Sequence, residues 1–205
     1  MVYSLSRLLL RLLLRMGFGF RVEGRGHEPE AGPVVVVSNH LSDLDPLVVG
    51  SALRRRVTFM AKHELFQIPG VRWWVTACGA FPVRRGAPDR QALRTALAIL
   101  HGGGIVVMFP EGTRGWDRTL RDPEPGAALL ARRTGAALLP VAILGTDMVL
   151  PRDAHRLHRG RITVRIGPPL HVGPPSRDDG RRSAGRDDLD AIGRRFMGEI
   201  ARLLA

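Results

Sequence analysis

The stretch Val34-Val35-Val36-Val37-Ser38-Asn39-His40-Leu41-Ser42-Asp43-Leu44-Asp45-Pro46 decides how this chain folds. Four consecutive valines form a β-branched run with no polar interruption, the pattern of a strand buried on both faces of a sheet. Pro46 suits the first position of a helix, with Asp45 as its N-cap. Asn39 to Leu44 are then a short polar connection between strand and helix. His40 and Asp45 are separated by about 140° on an ideal helix, so they meet only if the connection folds back as a loop. A carboxylate that accepts from one imidazole nitrogen fixes the tautomer and leaves the other nitrogen as a base for a hydroxyl. The same spacing fits equally well a loop histidine beside a helix cap.

The alternation of strand and helix continues along the chain. Val57 to Met60, Ile105 to Phe109, Ala137 to Ile143 and Ile162 to Ile166 are further short apolar runs that suit buried strands. Between them Pro46 to Leu53, Pro69 to Ala77, Pro88 to Leu100 and Pro125 to Arg133 have helical character, each with proline near its start. Strands alternating with helices predict an α/β domain with a mixed, largely parallel sheet flanked by helices. That domain is expected over residues 21–172. Residues 173–186, rich in Pro, Gly, Asp and Arg, are expected to form a linker, and residues 187–205 a C-terminal helix packed on the domain. Leu189, Ile192, Phe196, Ile200 and Leu203 fall on one face of that helix.

Residues 1–20 differ in character. Arg7, Arg11 and Arg15 recur every four residues among leucines, which predicts an amphipathic helix with a narrow cationic stripe. From Ser4 to Met16 it would be roughly 20 Å long, short of a hydrocarbon core of about 30 Å. It is therefore expected to lie in a membrane interface with its arginines toward lipid phosphates. The alternative is a helix that packs its leucine face on the core. A signal peptide is disfavoured, because Arg11 and Arg15 interrupt the apolar region and no small-residue cleavage site follows.

Composition narrows the function. The 205 residues carry 31 Lys plus Arg against 19 Asp plus Glu, a net charge of +12, and all the basic residues but Lys62 are Arg. Such a surplus attracts nucleic acid, anionic lipid or an acidic ligand. With aromatic residues at 5% there are few stacking platforms for single strands, so membrane or acidic ligand leads and nucleic acid is not expected. Cys78 is the only cysteine, which excludes an intramolecular disulfide and suits a buried structural thiol.

Two more segments carry chemistry. Phe109-Pro110-Glu111-Gly112-Thr113-Arg114 follows a strand directly, where ligands collect in open α/β sheets, and Arg114 offers a planar fork for phosphate oxygens. Phe81-Pro82-Val83-Arg84-Arg85 delivers two guanidinium groups together, although alone this would be a solvated charge pair. His40, Asp45, His63 and Glu111 could also be considered as metal ligands, but the five-residue spacing of the first two is not a usual zinc pair. No metal is expected.

Together these motifs resemble, in content and order, the glycerolipid acyltransferase family, typified by 1-acylglycerol-3-phosphate acyltransferases. Asn39, His40 and Asp45 match its first motif, Asn-His followed by four residues and Asp. Phe81 to Arg85 resembles the second, with Arg85 the best match for a phosphate-binding arginine. Phe109 to Arg114 is the third motif complete, and Leu139-Pro140-Val141-Ala142-Ile143 resembles the fourth. Ala61-Lys62-His63-Glu64-Leu65-Phe66 is similar to a segment whose lysine contributes to phosphate binding. Arg84 and Glu124 depart from the common pattern, at positions that bear on the acceptor headgroup.

The resemblance implies that His40, oriented by Asp45, deprotonates the hydroxyl of a lysophospholipid acceptor as it attacks the thioester of acyl-CoA or acyl-carrier-protein. No cofactor is needed beyond that co-substrate. Lys62, Arg85 and Arg114 would hold the acceptor phosphate, with Arg84, Glu111, Gly112 and Thr113 also at the substrate. Glu111 would meet the acceptor glycerol, and amides near Gly112 would polarise the thioester. Trp73 and Trp74 would line an acyl channel or sit at the headgroup boundary, core packing being the alternative for at least one. The expected setting is an anionic phospholipid membrane, with the protein peripheral on the cytoplasmic face of the cell membrane. A non-catalytic basic membrane-binding module would account for the charge but not for the motifs.

Overall fold

The computed structural model describes residues 2–83, 89–115, 119–154, 156–173 and 185–205. Its helices are α1 (Val2–Phe18), α2 (Asp45–Ala52), α3 (Pro69–Ala77), α4 (Arg90–His101), α5 (Gly126–Thr134), α6 (Thr146–Val149) and α7 (Arg186–Leu204). Its strands are β1 (Arg21–Glu23), β2 (Val34–Ser38), β3 (Val57–Lys62), β4 (Phe81–Val83), β5 (Ile105–Met108), β6 (Ala137–Leu144) and β7 (Thr163–Ile166). Among the described residues these strands form one sheet in the order β1-β7-β6-β2-β5-β3-β4. Every neighbouring pair is parallel except β6 with β7. The expected α/β architecture is therefore present. β1, β4 and α6 were not expected from the sequence, because three-residue strands and a single helical turn are too short to show a period.

The valine run supplies the centre. β2 lies between β5 and β6, and all five of its residues are buried. Val34 and Val36 pack on the side of α1 and α2, while Val35 and Val37 join the cluster formed with α4, α5 and α7. This period-2 division makes three layers from one run of like residues. Phe196 and Ile200 of α7 are fully buried on the second side, and Leu189 packs there as well. Of the segment expected as a linker, residues 174–184 lie outside the described residues.

Two helix starts differ from expectation. Asp45 does not cap α2. Leu44 holds the N-cap position, and the Asp45 carboxylate turns back into the preceding loop. At α4 the cap is Asp89, whose Oδ1 accepts from the N–H groups of Gln91 and Ala92.

α1 is turned opposite to the expected orientation of its arginine stripe. Leu5, Leu8, Leu9, Leu12, Leu13 and Met16 point outward and are exposed, whereas Arg7 and Arg11 face the protein. Arg7 donates through Nη1 to the carbonyl oxygens of Leu53 and Arg54 at 3.3 and 2.7 Å. Arg11 donates through Nε and Nη2 to that of Ser51 at 2.9 and 2.6 Å. These carbonyls belong to the C-terminal end of α2, where backbone acceptors have no intrahelical donor and the helix dipole favours a cation. The arginines are thus bonded to a neighbouring helix and not directed to lipid, and only Arg15 remains exposed. No described helix is long and apolar enough to cross a membrane.

Candidate active site

Because β2, β3, β5 and β6 run parallel, their C-terminal ends share one edge of the sheet, the edge at which α/β proteins bind ligands. β2 delivers Asn39 and His40 there, β3 ends on Lys62, and β5 is followed by Phe109 to Arg114. Residues far apart in sequence meet for that reason.

His40 and Asp45 form the expected pair. His40 Nδ1 lies 2.8 Å from Asp45 Oδ2, and the two residues are 4% and 0% exposed. The same Oδ2 accepts from the backbone N–H groups of Leu41 at 2.6 Å and Ser42 at 2.7 Å. A carboxylate oxygen surrounded by donors requires Nδ1 to carry its proton, so Nε2 is the lone-pair nitrogen. Nε2 makes no hydrogen bond among the described residues. The ring stacks on Phe109, with centroids 4.2 Å apart and planes inclined by 21°. The Phe109 side chain thereby fixes the ring plane that Asp45 has already oriented.

The loop carrying His40 is clasped by the segment after β5. Glu111 Oε1 accepts from the His40 N–H at 3.1 Å, and the Gly115 N–H donates to the His40 carbonyl at 2.8 Å. Glu111 Oε2 takes a longer bond of 3.4 Å from the Arg121 N–H. Burial pushes the Glu111 carboxyl above its ordinary range, opposed in part by those two N–H groups. Glu111 thereby braces the loop that carries His40. On the other side Asn39 is bidentate to Ile143 of β6, donating through Nδ2 at 2.9 Å and accepting through Oδ1 at 2.8 Å. The Gly112 N–H donates to the Phe109 carbonyl at 3.1 Å. Gly112 adopts a φ of 70°, closed to most side chains, and Thr113 is exposed.

His40 opens onto a cavity of about 470 Å³ between β3, α1, α2 and α3. Its wall is mostly apolar, with Leu10, Leu47, Phe59, Val71 and Trp74 among the lining residues, and Gly50 leaves space over the Phe59 ring. Tyr3, Ser6 and Arg7 complete it, so α1 is one of its walls. The Tyr3 hydroxyl accepts from the Val57 N–H, and Trp74 Nε1 donates to Ser6 Oγ at 3.4 Å. The two tryptophans part company, since Trp74 lines the cavity and Trp73 is 65% exposed. Cys78 also lines it and is half-buried, which corrects the reading of a buried core thiol; burial still pushes the thiol pKa up.

Cations stand at the same cavity. Lys62 lines it, exposed and without an ion-pair partner among the described residues. Arg114 Nη1 donates to Asp43 Oδ2 at 2.9 Å, and Asp43 lines the cavity with His40. Arg84 and Arg85 lie outside the described residues; Val83, the last residue before them, pairs with Lys62 across β4 and β3. Among the described residues no three His, Cys, Asp or Glu side chains stand close enough together to hold a metal ion, so His63 does not join His40, Asp45 and Glu111.

The site is thus a buried His–Asp pair facing an apolar cavity, with the basic side chains of Lys62 and Arg7 at the same cavity. The Acyltransferase family profile matches residues 19–144, and the chain belongs to that family of enzymes. It is 34% identical over 158 residues to a chloroplastic 1-acyl-sn-glycerol-3-phosphate acyltransferase of Arabidopsis thaliana, covering 75% of this chain and 44% of that protein. Against the 1-acyl-sn-glycerol-3-phosphate acyltransferase of Bacillus subtilis it is 30% identical over 174 residues, covering 83% of each. The crystal structure of the 1-acyl-sn-glycerophosphate acyltransferase of Thermotoga maritima superposes with a TM-score of 0.76 at 25% identity, covering all of this chain and 78% of that one. The chain therefore spans less than half the length of the chloroplast relative and most of the bacterial ones.

Asn39 and Gly115 are the positioning residues whose roles the sequence did not disclose. Asn39 was visible as a motif member, but its bond to a strand more than a hundred residues later was not. Gly115 had no signal beyond following Arg114.

Proposed function

We propose that this protein transfers a fatty acyl group from acyl-CoA or acyl-carrier-protein to the free hydroxyl of 1-acylglycerol-3-phosphate, giving phosphatidic acid. The observation that carries the reading is the His40–Asp45 pair with Nε2 free at an apolar cavity that Lys62 and Asp43, the partner of Arg114, also line. The acceptor phosphate binds Lys62 and Arg114, which places the neighbouring hydroxyl against Nε2. His40 takes the hydroxyl proton as the oxygen attacks the thioester carbonyl. Collapse of the tetrahedral adduct breaks the carbon–sulfur bond, and the imidazolium returns its proton to the leaving thiolate. Asp45 stabilises the imidazolium in between, and no covalent acyl-enzyme is needed. Such base catalysis contributes roughly 10² to 10⁴ in rate, and fixing the phosphate adds positioning. The acyl chain occupies the apolar cavity walled by α1, α2 and α3.

The substrate and product of this reaction are lipids, and the outer face of α1 suits their surface. Leu5, Leu8, Leu9, Leu12, Leu13 and Met16 are exposed together, with Ile68 and Trp73 exposed near α3. We read this face as the side that inserts into an anionic phospholipid monolayer, holding the protein as a peripheral enzyme on the cytoplasmic face. A helix of this length lying flat inserts its leucines into the interface.

The test is steady-state thiol release with an acyl-CoA or acyl-carrier-protein and a panel of lysophospholipids and glycerol 3-phosphate, with lipid products identified. 1-Acylglycerol-3-phosphate should give the highest kcat/KM, and His40→Ala should abolish turnover while the far-ultraviolet circular dichroism is unchanged. Turnover by His40→Ala near that of the parent protein would refute the mechanism. Preference for another acceptor would refute the substrate assignment alone.

A further inference from the structure

We propose that Asp43 is a placeholder for the acceptor phosphate, an internal competitor that holds Arg114 while the site is empty and takes it back as product leaves. The inference rests on the reading that Arg114 receives the acceptor phosphate.

Asp43 lies inside the loop that joins His40 to Asp45, yet it bonds to neither. Among the described residues its only side-chain partner is Arg114, at 2.9 Å. Every flanking residue has a structural task. Leu41 and Ser42 donate to Asp45, the Ser42 hydroxyl donates to the Leu150 carbonyl, and the Asp45 N–H donates to the Ser42 carbonyl. The Asp43 backbone is therefore pinned, while its side chain is 66% exposed and can turn without disturbing the loop.

Arg114 is fixed more firmly. Its side chain is 17% exposed and its Nη1 also donates a long bond of 3.5 Å to the Arg152 carbonyl, while its own carbonyl accepts from Arg152 Nη1 at 3.0 Å. The guanidinium stands next to the cavity that Asp43 lines, and its exchangeable partner is one carboxylate oxygen of Asp43, in the place a phosphate oxygen would take. An incoming phosphate gains Arg114 only as Asp43 loses it, and the displaced carboxylate then stands close to the bound anion as a like charge. Acceptor and product carry the same phosphate. A contact that held it without competition would bind both more tightly, because it is made in ground state, transition state and product complex alike. Asp43 sets that affinity lower and supplies the partner to which Arg114 returns.

Removal of the Asp43 charge should therefore tighten anion binding by the worth of one exposed ion pair, about two- to fivefold. The experiment measures acceptor KM, kcat and inhibition by dioctanoyl phosphatidic acid for the parent protein, Asp43→Asn, Asp43→Glu, Arg114→Ala and the double variant Asp43→Asn/Arg114→Ala. Asp43→Asn is expected to lower the acceptor KM and the product inhibition constant together by about two- to fivefold. Asp43→Glu should restore values near those of the parent protein. In the Arg114→Ala background, where acceptor KM is raised, Asp43→Asn should have no further effect. An acceptor KM that is unchanged or raised in Asp43→Asn, or the same decrease with Arg114 absent, would overturn the placeholder role while leaving the acyltransferase reading in place. An acceptor KM insensitive to Arg114→Ala would overturn the assignment of Arg114 to the acceptor phosphate, and this inference with it.

Discussion

Replacing Asp45 with asparagine removes one buried charge while keeping the shape of the side chain, and the geometry of the loop dictates how the amide must lie. The N–H groups of Leu41 and Ser42 both aim at Oδ2, so an NH₂ group cannot take that place. The amide oxygen must occupy it, which preserves acceptance from His40 Nδ1 and hence the tautomer. The NH₂ then falls at the position of Oδ1, which is buried and has no hydrogen-bond partner. The position is unpartnered in both forms, but the three bonds that Oδ2 accepts from His40, Leu41 and Ser42 lose their charge assistance, so the melting temperature should fall. The catalytic loss arises separately. Two unit charges about 4 Å apart at an effective dielectric near 20 attract by about 4 kcal/mol, which bounds what the imidazolium loses when the carboxylate becomes an amide. Part survives through the amide dipole, so kcat should drop by about 10² to 10³ with the acceptor KM little changed. Asp45→Ala, which also frees the tautomer and orphans both N–H groups, should lose more. Initial rates of thiol release and thermal melts of both variants provide the check. A kcat within tenfold of the parent protein in Asp45→Asn, or equal losses in the two variants, would refute the role assigned to this carboxylate.

Other consequences follow from the same contacts. Asn39→Ala leaves the Ile143 N–H and carbonyl unpaired in the interior and should cost about 2–4 kcal/mol by denaturant unfolding, with a matching decrease in kcat as the His40 loop loses its tie to β6. Leu9→Asp with Leu13→Asp should reduce co-sedimentation with anionic vesicles at least tenfold while leaving the melting temperature within about 2 °C, since both side chains are exposed; parallel loss of fold and binding would show that the face is covered by protein. Burial holds the folded-state pKa of Glu111 above its unfolded value, so the folded form binds the extra proton and this group's contribution to stability decreases as pH rises from the ordinary carboxylate range through the raised value, then levels off. Glu111→Gln should flatten that slope in unfolding midpoints measured between about pH 4 and 8, and an unchanged slope would remove Glu111 as its source.

Much of this architecture follows from local chemistry that a sequence displays directly. Four valines in a row cannot tolerate solvent on either face, and β2 is accordingly the most enclosed strand, flanked by β5 and β6. The prolines of α2 and α3 lie in their first turns because a residue without an N–H fits where none is needed. The order of the motifs carried the site, since parallel strands must bring their C-terminal ends to one edge. Tertiary structure alone decided how polar groups were shared. The Asp45 carboxylate had a choice between the N–H groups of its own helix and those of the preceding loop, and His40 at 2.8 Å settled it for the loop. Glu111 and Asn39 are tied to backbone groups of other elements that no spacing reveals. For α1 the periodicity specified two unlike faces but not which would turn inward. The unsatisfied carbonyls of Ser51, Leu53 and Arg54 at the end of α2 needed donors, Arg7 and Arg11 supplied them, and the leucines were left on the outside.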